Sequence, residues 1–190
     1  LRTPLSTIKT SSEVALLDDK LNAPMRHTFR EIIEELNRVS EIINNLLSLN
    51  MLTRPERMQF SGVDIAPLAE QAVKKHAALA RERGIKILIR KEPGAIVWGN
   101  ATALEQIMTN LIKNALSYTP ANTDGTVTVT VRPENHSMVL FSVADTGIGI
   151  SQEDLSHIFE PFYRADTSRN RAVQHSGSGL GLTIVNEMVR

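Results

Sequence analysis

The sequence predicts an α+β protein, in which a helical hairpin precedes a domain that mixes helices and strands. Over the first 54 residues the apolar side chains recur at steps of three and four, as in a coiled-coil seam. From about residue 63 the pattern changes, because helix-like and strand-like segments follow one another. We therefore predict a hairpin over residues 1–54, a linker over 55–62 and a globular domain over 63–190.

Composition and charge narrow the class of protein. A chain of 190 residues with 42% hydrophobic content can bury a core. The 21 basic and 21 acidic residues cancel, so no broad electrostatic field favours nucleic acid or an anionic membrane surface. The absence of cysteine excludes disulfides, thiolate metal sites and cysteine nucleophiles. No apolar run approaches the roughly 20 residues that span a bilayer, so we expect neither nucleic-acid binding nor membrane contact by this chain.

The hairpin is predicted from two amphipathic stretches. The longer one starts at Met25 behind Pro24, which a first helical turn tolerates, and ends near Pro55, which disfavours further helix. A shorter helix precedes it, and the polar run 18–20 separates the two. The hairpin could pack on its own chain or join a second copy as a four-helix bundle. We favour the homodimer, because two lone helices offer too little partner surface for a sustained heptad seam.

The elements of the second domain follow from local periodicity and capping signals. Residues 126–132 alternate threonine and valine, and 138–144 form a second apolar strand, so we expect the two to pair antiparallel. Ser151 and Asp154 form a capping box that opens a helix to about residue 159, whereas 165–176 lack periodicity, as a mobile loop does. The other predicted elements are helices over 65–83, over 101–118 and from 178, and strands over 85–90 and 95–98.

Two asparagines mark the helix predicted over 101–118. Asn110 and Asn114 are four residues apart and share a face with Tyr118, next to an apolar stripe that includes Leu111. Each carboxamide needs partners, since an unsatisfied polar group beside a buried stripe costs about 1 to 3 kcal/mol. The pair could bond backbone carbonyls, as structural asparagines do, or could present an amide oxygen to Mg²⁺.

Two glycine-rich segments are candidates for ligand binding. The run DTGIGI at 145–150 leaves an apolar strand, where Asp145 could accept a hydrogen bond from a ligand or could simply form a turn. The run GSGLGL at 177–182 opens a helix, where backbone N–H groups can bind phosphate. Its G-x-G-x-G spacing argues against a dinucleotide fold, and the absence of a G-x-x-x-x-G-K-[ST] run excludes the P-loop class.

Taken in order, these segments resemble the motifs of the sensor histidine kinases. The asparagine helix resembles their N box, DTGIGI the first glycine box, FEPFYR at 159–164 the F box and GSGLGL the second glycine box. At the other end, LRTPL at 1–5 resembles the close of the H box. The resemblance covers nearly the whole chain. It implies that the second domain is a two-layer α/β sandwich of the GHKL type, shared with gyrase and Hsp90.

The resemblance implies a site for ATP and Mg²⁺. On the adenine side it implies that Asp145 bonds the exocyclic amine, that Tyr118 stacks beside the ring, and that two glycines give the ring room, namely Gly147 and Gly149. On the phosphate side it implies that Asn114 holds Mg²⁺ with support from Asn110. The residues expected to close over the phosphates are Gly177, Gly179, Leu180 and Gly181.

Arg164, which ends the F box, resembles the family arginine that reaches the γ-phosphate, where a guanidinium stabilises charge in phosphoryl transfer. A surface salt bridge is the competing interpretation of Arg164. Ser117 departs from the family pattern, because many relatives place a phosphate-contacting lysine there. We expect Lys113 to lie around the helix from Ser117 and phosphate binding to be weaker. Asn100 replaces a common aspartate before this helix, where either residue can act as an N-cap.

The phosphoacceptor histidine is expected just before Leu1, with an acidic neighbour that takes or orients its proton, so it is absent from this sequence. We also expect further strands of the sheet beyond Arg190. Thr3, four residues after the expected histidine, would orient the water that dephosphorylates the response regulator. The alternative is that Thr3 only caps the turn before Pro4.

The resemblance implies that the parent protein moves the ATP γ-phosphoryl to its own histidine and then to an aspartate of a response regulator receiver domain. It also implies that the chain is the cytoplasmic portion of a membrane-anchored bacterial protein. Two other classes stay open. One is a gyrase-like or chaperone ATPase, and the other is a signalling scaffold that binds nucleotide without phosphotransfer.

Overall fold

A computed structural model of the chain describes residues 2–52, 58–135, 137–164 and 178–189. The helices are α1 (Arg2–Ala15), α2 (Ala23–Leu52), α3 (Ile65–Glu82), α4 (Ala101–Tyr118), α5 (Gln152–Leu155) and α6 (Gly181–Val189). The strands are β1 (Ser61–Asp64), β2 (Lys86–Lys91), β3 (Ile96–Gly99), β4 (Thr126–Pro133) and β5 (Val139–Asp145). None of the described helices is both long and apolar enough to cross a bilayer. The predicted mobile loop at 165–176 lies outside the described residues.

The hairpin is held at its turn by polar contacts. Asn22 lies immediately before α2, and its side-chain oxygen accepts a hydrogen bond of 2.9 Å from the Met25 N–H, so it satisfies a free donor of the first turn. The Arg26 guanidinium donates to the carbonyls of Leu16 and Asp18 at 2.9 and 2.6 Å, and it also reaches Leu21. One arginine therefore closes the turn between α1 and α2, a role that the periodicity of the sequence did not indicate.

The described part of the second domain contains a three-stranded sheet and a separate two-stranded ribbon. The sheet has the order β2-β4-β5, with β2 parallel and β5 antiparallel to β4. The antiparallel pairing of β4 and β5 confirms the expectation from their alternating sequences. The ribbon pairs β1 with β3, in a register that sets Gly62 opposite Trp98. Strand β1 corrects the predicted boundary, because Ser61 and Gly62 belong to this ribbon and not to the linker.

The core lies between the sheet and the helices that cover one of its faces. On β4 the valines are fully buried and the threonines between them are half-buried, which is the period of two that the sequence shows. Helix α4 packs on these valines with Met108, Ile112 and Leu116, all 2% exposed or less. Because Leu111 is only half-buried, the predicted stripe was wrong at that position. Helix α3 covers the same face, and α6 packs against α4.

Two helix boundaries differ from the prediction. Helix α5 ends at Leu155 and not near residue 159, because His157 donates to the Asp154 carbonyl, three residues back, at 2.8 Å. Helix α6 begins at Gly181 and not at Ser178. The carbonyl of Leu180 accepts the first bond of that helix, 3.0 Å from the Ile184 nitrogen. Residues 178–180 of the glycine-rich segment therefore precede the helix and do not form its first turn.

Candidate nucleotide-binding site

Helix α4 supplies one wall of the site. Its start is fixed by Asn100, whose side-chain oxygen accepts from the Ala103 N–H at 3.0 Å, as expected of an N-cap. Asn110 is 8% exposed, and its amide donates 3.2 Å to the Gly181 carbonyl, while its oxygen accepts from Gln106. Asn110 therefore bonds a backbone carbonyl, which is the first of the two roles considered for the asparagine pair. This bond joins α4 to the start of α6.

The Asp-Gly turn docks against the end of the same helix. The Asp145 carboxylate is exposed and accepts from the Gly147 N–H at 2.8 Å. The Ile148 N–H donates 3.2 Å to the Tyr118 carbonyl, so the turn is fixed to the last residue of α4. Gly147 makes the closest approach, since a Cβ there would lie 2.6 Å from the Tyr118 oxygen. At Gly149 a Cβ would meet open space, so what this position requires is its positive φ of 73°.

The second glycine box lies against the F box. Gly179 has a φ of 70°, and a Cβ there would approach the Phe162 backbone to 2.8 Å. The Phe162 N–H donates 3.1 Å to the Gly179 carbonyl, which joins the two motifs. Leu180 is 1% exposed, so its side chain belongs to the packed interior and only its backbone can face a ligand. Gly177 lies outside the described residues.

The F-box segment is anchored through Asp154 of α5. The Ser151 hydroxyl accepts from the Asp154 N–H at 3.0 Å and donates to its carboxylate at 2.6 Å. The Tyr163 hydroxyl donates 2.6 Å to the other carboxylate oxygen. The hydrogen bond from Ser151, then that from Tyr163, lower the pKa of Asp154 below its ordinary value, and burial opposes them. The ionised carboxylate therefore holds Tyr163 and the adjacent Arg164 beside α4.

A cleft opens where α4, the F box and the second glycine box meet. Its walls include residues of α4 (Asn110, Lys113, Asn114, Ser117 and Tyr118), of the F box and the residue before it (Ile158, Tyr163 and Arg164) and of the second glycine box (Ser178, Gly179, Gly181 and Leu182). The structure thus brings Asn110, Asn114, Tyr118 and Arg164 together at one site. The Asp-Gly turn with Asp145, Gly147 and Gly149 lies beyond this wall, joined to it through Tyr118.

Three residues of this cleft were missed or misplaced by the sequence analysis. Lys113 lies on the same wall as Ser117, so the expectation that it lies elsewhere on the helix was wrong. Residues four apart share a helix face, and that spacing was the signal available in the sequence. Glu41 and Ser178 also line the cleft. Glu41 belongs to α2 of the hairpin, 60 residues before the start of α4, so no local pattern could assign it.

The residues on this wall fit the magnesium chemistry that the family implies. A Cβ at Gly181 would lie in ordinary contact, 3.9 Å from the side-chain oxygens of both Asn110 and Asn114, so both oxygens face the start of α6. Among the described residues no group of three or more histidines and carboxylates forms a metal cage. Mg²⁺ in nucleotide sites is held by one or two protein oxygens together with phosphates and water, which suits this arrangement.

Thr3 lies far from these motifs in sequence, in the first turn of α1. Its side chain is exposed, and its carbonyl accepts from the Thr7 hydroxyl at 3.1 Å. Both Thr3 and Pro4 are helical, so Thr3 does not cap a turn before Pro4. The exposed threonine is thus available on the surface of the hairpin.

A helical hairpin joined to a two-layer α/β domain with these motifs defines the class of histidine kinase cores. Comparison with known families agrees. Residues 1–55 match the model of the His Kinase A (phospho-acceptor) domain, and residues 99–190 match that of the histidine kinase-, DNA gyrase B- and HSP90-like ATPase. The chain belongs to the sensor histidine kinases and carries part of their catalytic core.

Individual relatives support the same assignment. The chain is 31% identical over 99% of its length to the sensor-like histidine kinase SenX3 of Mycolicibacterium smegmatis, of which it covers 48%. It is 35% identical over its full length to drug sensory protein A of Synechocystis, of which it covers 30%. The full-length structure of ShkA in complex with AMPPNP superposes with a TM-score of 0.69 at 30% identity, covering 98% of this chain and 38% of ShkA. The chain therefore spans less than half the length of these relatives.

Proposed function

We propose that this chain is the kinase core of a two-component sensor histidine kinase. It binds Mg-ATP and delivers the γ-phosphoryl group to a histidine of the dimerisation hairpin, from which an aspartate of a response regulator receives it. The observation that carries the proposal is the cleft in which the asparagine face of α4, the F box and the second glycine box meet. A neighbouring protein of the same fold, ShkA, was crystallised with AMPPNP.

In this proposal the cleft and the Asp-Gly turn beside it each have a chemical task. Asp145 accepts a hydrogen bond from the adenine amine, which would select ATP over GTP, and Tyr118 lies beside the ring. Asn114 supplies an oxygen to Mg²⁺, which neutralises phosphate charge when bound. Arg164 stabilises the charge that develops on the γ-phosphoryl group. The backbone of Gly179 to Gly181 at the start of α6 adds N–H donors for the phosphates.

The exposed apolar side chains of the hairpin support the proposed homodimer. Several apolar side chains of α1 and α2 are exposed in the single chain, namely Ile8, Met25, Ile32, Leu46 and Leu47. A second copy would bury them in a four-helix bundle, and the match to a phospho-acceptor domain favours that homodimer. A gyrase-like or chaperone ATPase would leave this hairpin without a role. From the sensor kinases it resembles, we also propose a position on the cytoplasmic side of a membrane-anchored protein.

The substitution Asp145→Asn tests the nucleotide site. It replaces an acceptor by a mixed donor and acceptor facing the adenine amine, and the cost should be about 1 to 3 kcal/mol. Isothermal titration calorimetry should therefore show ATP affinity weakened by about 5- to 150-fold. Asp19→Asn, at the exposed turn of the hairpin, makes the same change of charge away from the cleft and should bind ATP normally. Unchanged affinity in Asp145→Asn would contradict the assignment of the adenine pocket.

A further inference from the structure

Lys113 stands on the wall of the cleft, next to residues to which the proposed function assigns the magnesium and the phosphates. Asn110, Lys113, Asn114 and Ser117 recur at steps of three and one along α4, so they form one face, and all four line the cleft. Ser117 lies on the same wall, and its hydroxyl brings no charge. Lys113 lies one turn earlier on the same face, and the aliphatic stem of a lysine is long enough to bring its ammonium to a neighbouring level.

The partner of Lys113 comes from the other domain. The Lys113 ammonium donates a hydrogen bond to the carboxylate of Glu41 on α2, and the two side chains are only 35% and 28% exposed. Glu41 itself lines the cleft. One helical turn further along α2, the buried Asn45 donates 2.8 Å to the hydroxyl of Ser178, in the second glycine box. The same face of α2 therefore touches both α4 and the glycine-rich segment.

A polyphosphate in this cleft changes the balance of charge at Glu41. The phosphates of ATP are multiply negative, so they repel a carboxylate on the same wall and attract the ammonium beside it. Lysine binds phosphate as a compact point charge, and such charge-assisted bonds are about twice as strong as neutral ones. The ammonium that pairs with Glu41 before nucleotide binds is thus placed to pair with phosphate afterwards.

We propose that Lys113 is a phosphate-binding residue and that Glu41 of the hairpin is the counter-ion it releases when nucleotide binds. The inference rests on the proposed nucleotide site and adds two things to it. It assigns to Lys113 the charge that Ser117 lacks. It also couples nucleotide binding to the contact between the two domains. When ATP enters, Lys113 leaves Glu41 and binds phosphate, so the ion pair between α2 and α4 opens.

The experiment is calorimetric titration of the 190-residue chain with ATP, ADP and adenosine. Lys113→Gln should weaken ATP and ADP binding by about 10- to 100-fold, because a charged hydrogen bond is lost, and leave adenosine unchanged. Glu41→Gln should have the opposite effect, because it removes the carboxylate that competes with phosphate for Lys113. ATP binding should become about two- to fivefold stronger, which corresponds to the free energy of a partly screened ion pair. Lys113→Arg, which keeps the charge, should restore most of the ATP affinity.

The Lys75–Glu105 pair provides matched controls. It joins α3 to α4 on the exposed surface, away from the cleft, so Lys75→Gln and Glu105→Gln should leave all three affinities unchanged. Equal loss of ATP and adenosine binding in Lys113→Gln would mean a distorted site and would overturn the proposal. So would weaker ATP binding in Glu41→Gln. If Asp145→Asn weakens ATP binding but Lys113→Gln does not, Lys113 alone is wrongly assigned; if the unsubstituted chain binds no ATP, the proposed function fails as well.

Discussion

At the scale of single residues, the tightest constraint in the site is at Gly147. A Cβ there would lie 2.5 Å from the Asp145 carboxylate and 2.6 Å from the Tyr118 carbonyl, closer than real Cβ atoms approach. Gly147→Ala must therefore push the turn away from α4 and lengthen the bond from Ile148 to Tyr118, now 3.2 Å. We expect a loss of about 1 to 3 kcal/mol in the free energy of unfolding, measured by urea denaturation, together with weaker ATP binding.

Gly62→Ala is the matched control for that substitution. Gly62 lies in β1, where a Cβ would make ordinary contact at 3.7 Å with Ile96, and its φ is not positive. Alanine restricts the unfolded chain more than glycine does, so the stability of this variant should be unchanged or slightly raised. If Gly147→Ala proved as harmless as Gly62→Ala, the close packing of the turn on Tyr118 would be wrong.

Residue-level prediction succeeded where a motif had a fixed local geometry and failed where a partner was distant. The capping roles of Asn100 and Ser151 followed from their positions before helices, and both are confirmed. The pairing of Lys113 with Glu41 was missed because the two residues are 72 positions apart in sequence. Arg26 was missed for a related reason, since guanidinium bonds to backbone carbonyls leave no periodic signal.

At the scale of elements, helices and strands with a strong periodic pattern were predicted correctly, and the short elements β1 and α5, which lack one, were not. Helix α4 was predicted with both ends correct, because its apolar stripe is long and Asn100 marks its start. Strand β1 was missed because four residues with a glycine show no alternation, and their structure depends on pairing with β3. Helix α5 was predicted too long, since its capping box fixes the start and says nothing about the end.

Thr3 of helix α1 leads to a prediction about the dephosphorylation of a response regulator. In a chain that bears a histidine and an acidic residue directly before Leu1, Thr3 lies one helical turn beyond that histidine on the same face. If Thr3 orients the attacking water, Thr3→Ala should lower phosphatase activity toward a phosphorylated response regulator at least tenfold, and autophosphorylation much less. Alanine favours helix, so α1 itself should not weaken. Both activities are measured with radioactive phosphate.

Thr10→Ala is the control on the same helix, because Thr10 is also exposed and lies two turns further along α1. It should leave both activities unchanged. Similar modest losses of both activities in Thr3→Ala would instead indicate a structural role for Thr3.

At the scale of the whole molecule, the arrangement of the two domains could not be read from the sequence. The order of hairpin and α/β domain followed from the change in periodicity, because each domain has its own local pattern. Their contact depends on side chains such as Asn45 and Ser178, which are 133 positions apart and share no motif. That contact places α2 at the edge of the cleft, so residues of both domains line it.

The position expected for the phosphoacceptor histidine leads to a prediction for the 190-residue chain. It should bind ATP and yet acquire no phosphoryl label, because none of its five histidines lies in α1. His27 lies one turn into α2, toward the opposite end of the hairpin from Thr3. At a rise of 1.5 Å per residue the two are about 12 Å apart along the hairpin, in addition to the roughly 8 to 10 Å between packed helix axes. Phosphoryl transfer needs the reacting atoms within about 3.5 Å, so His27 should not replace the phosphoacceptor.

Phosphoryl label on the chain is measured after incubation with ATP labelled at the γ-phosphoryl group. The denatured chain is then treated with acid and with base. A chain extended by a histidine and an acidic residue before Leu1 should acquire label that survives base and is lost in acid, as a phosphoramidate is. The same extension with glutamine in place of the histidine should stay unlabelled while binding ATP equally well. Acid-labile label on the 190-residue chain would place the acceptor on one of its own histidines, and His27→Gln would then show whether α2 carries it.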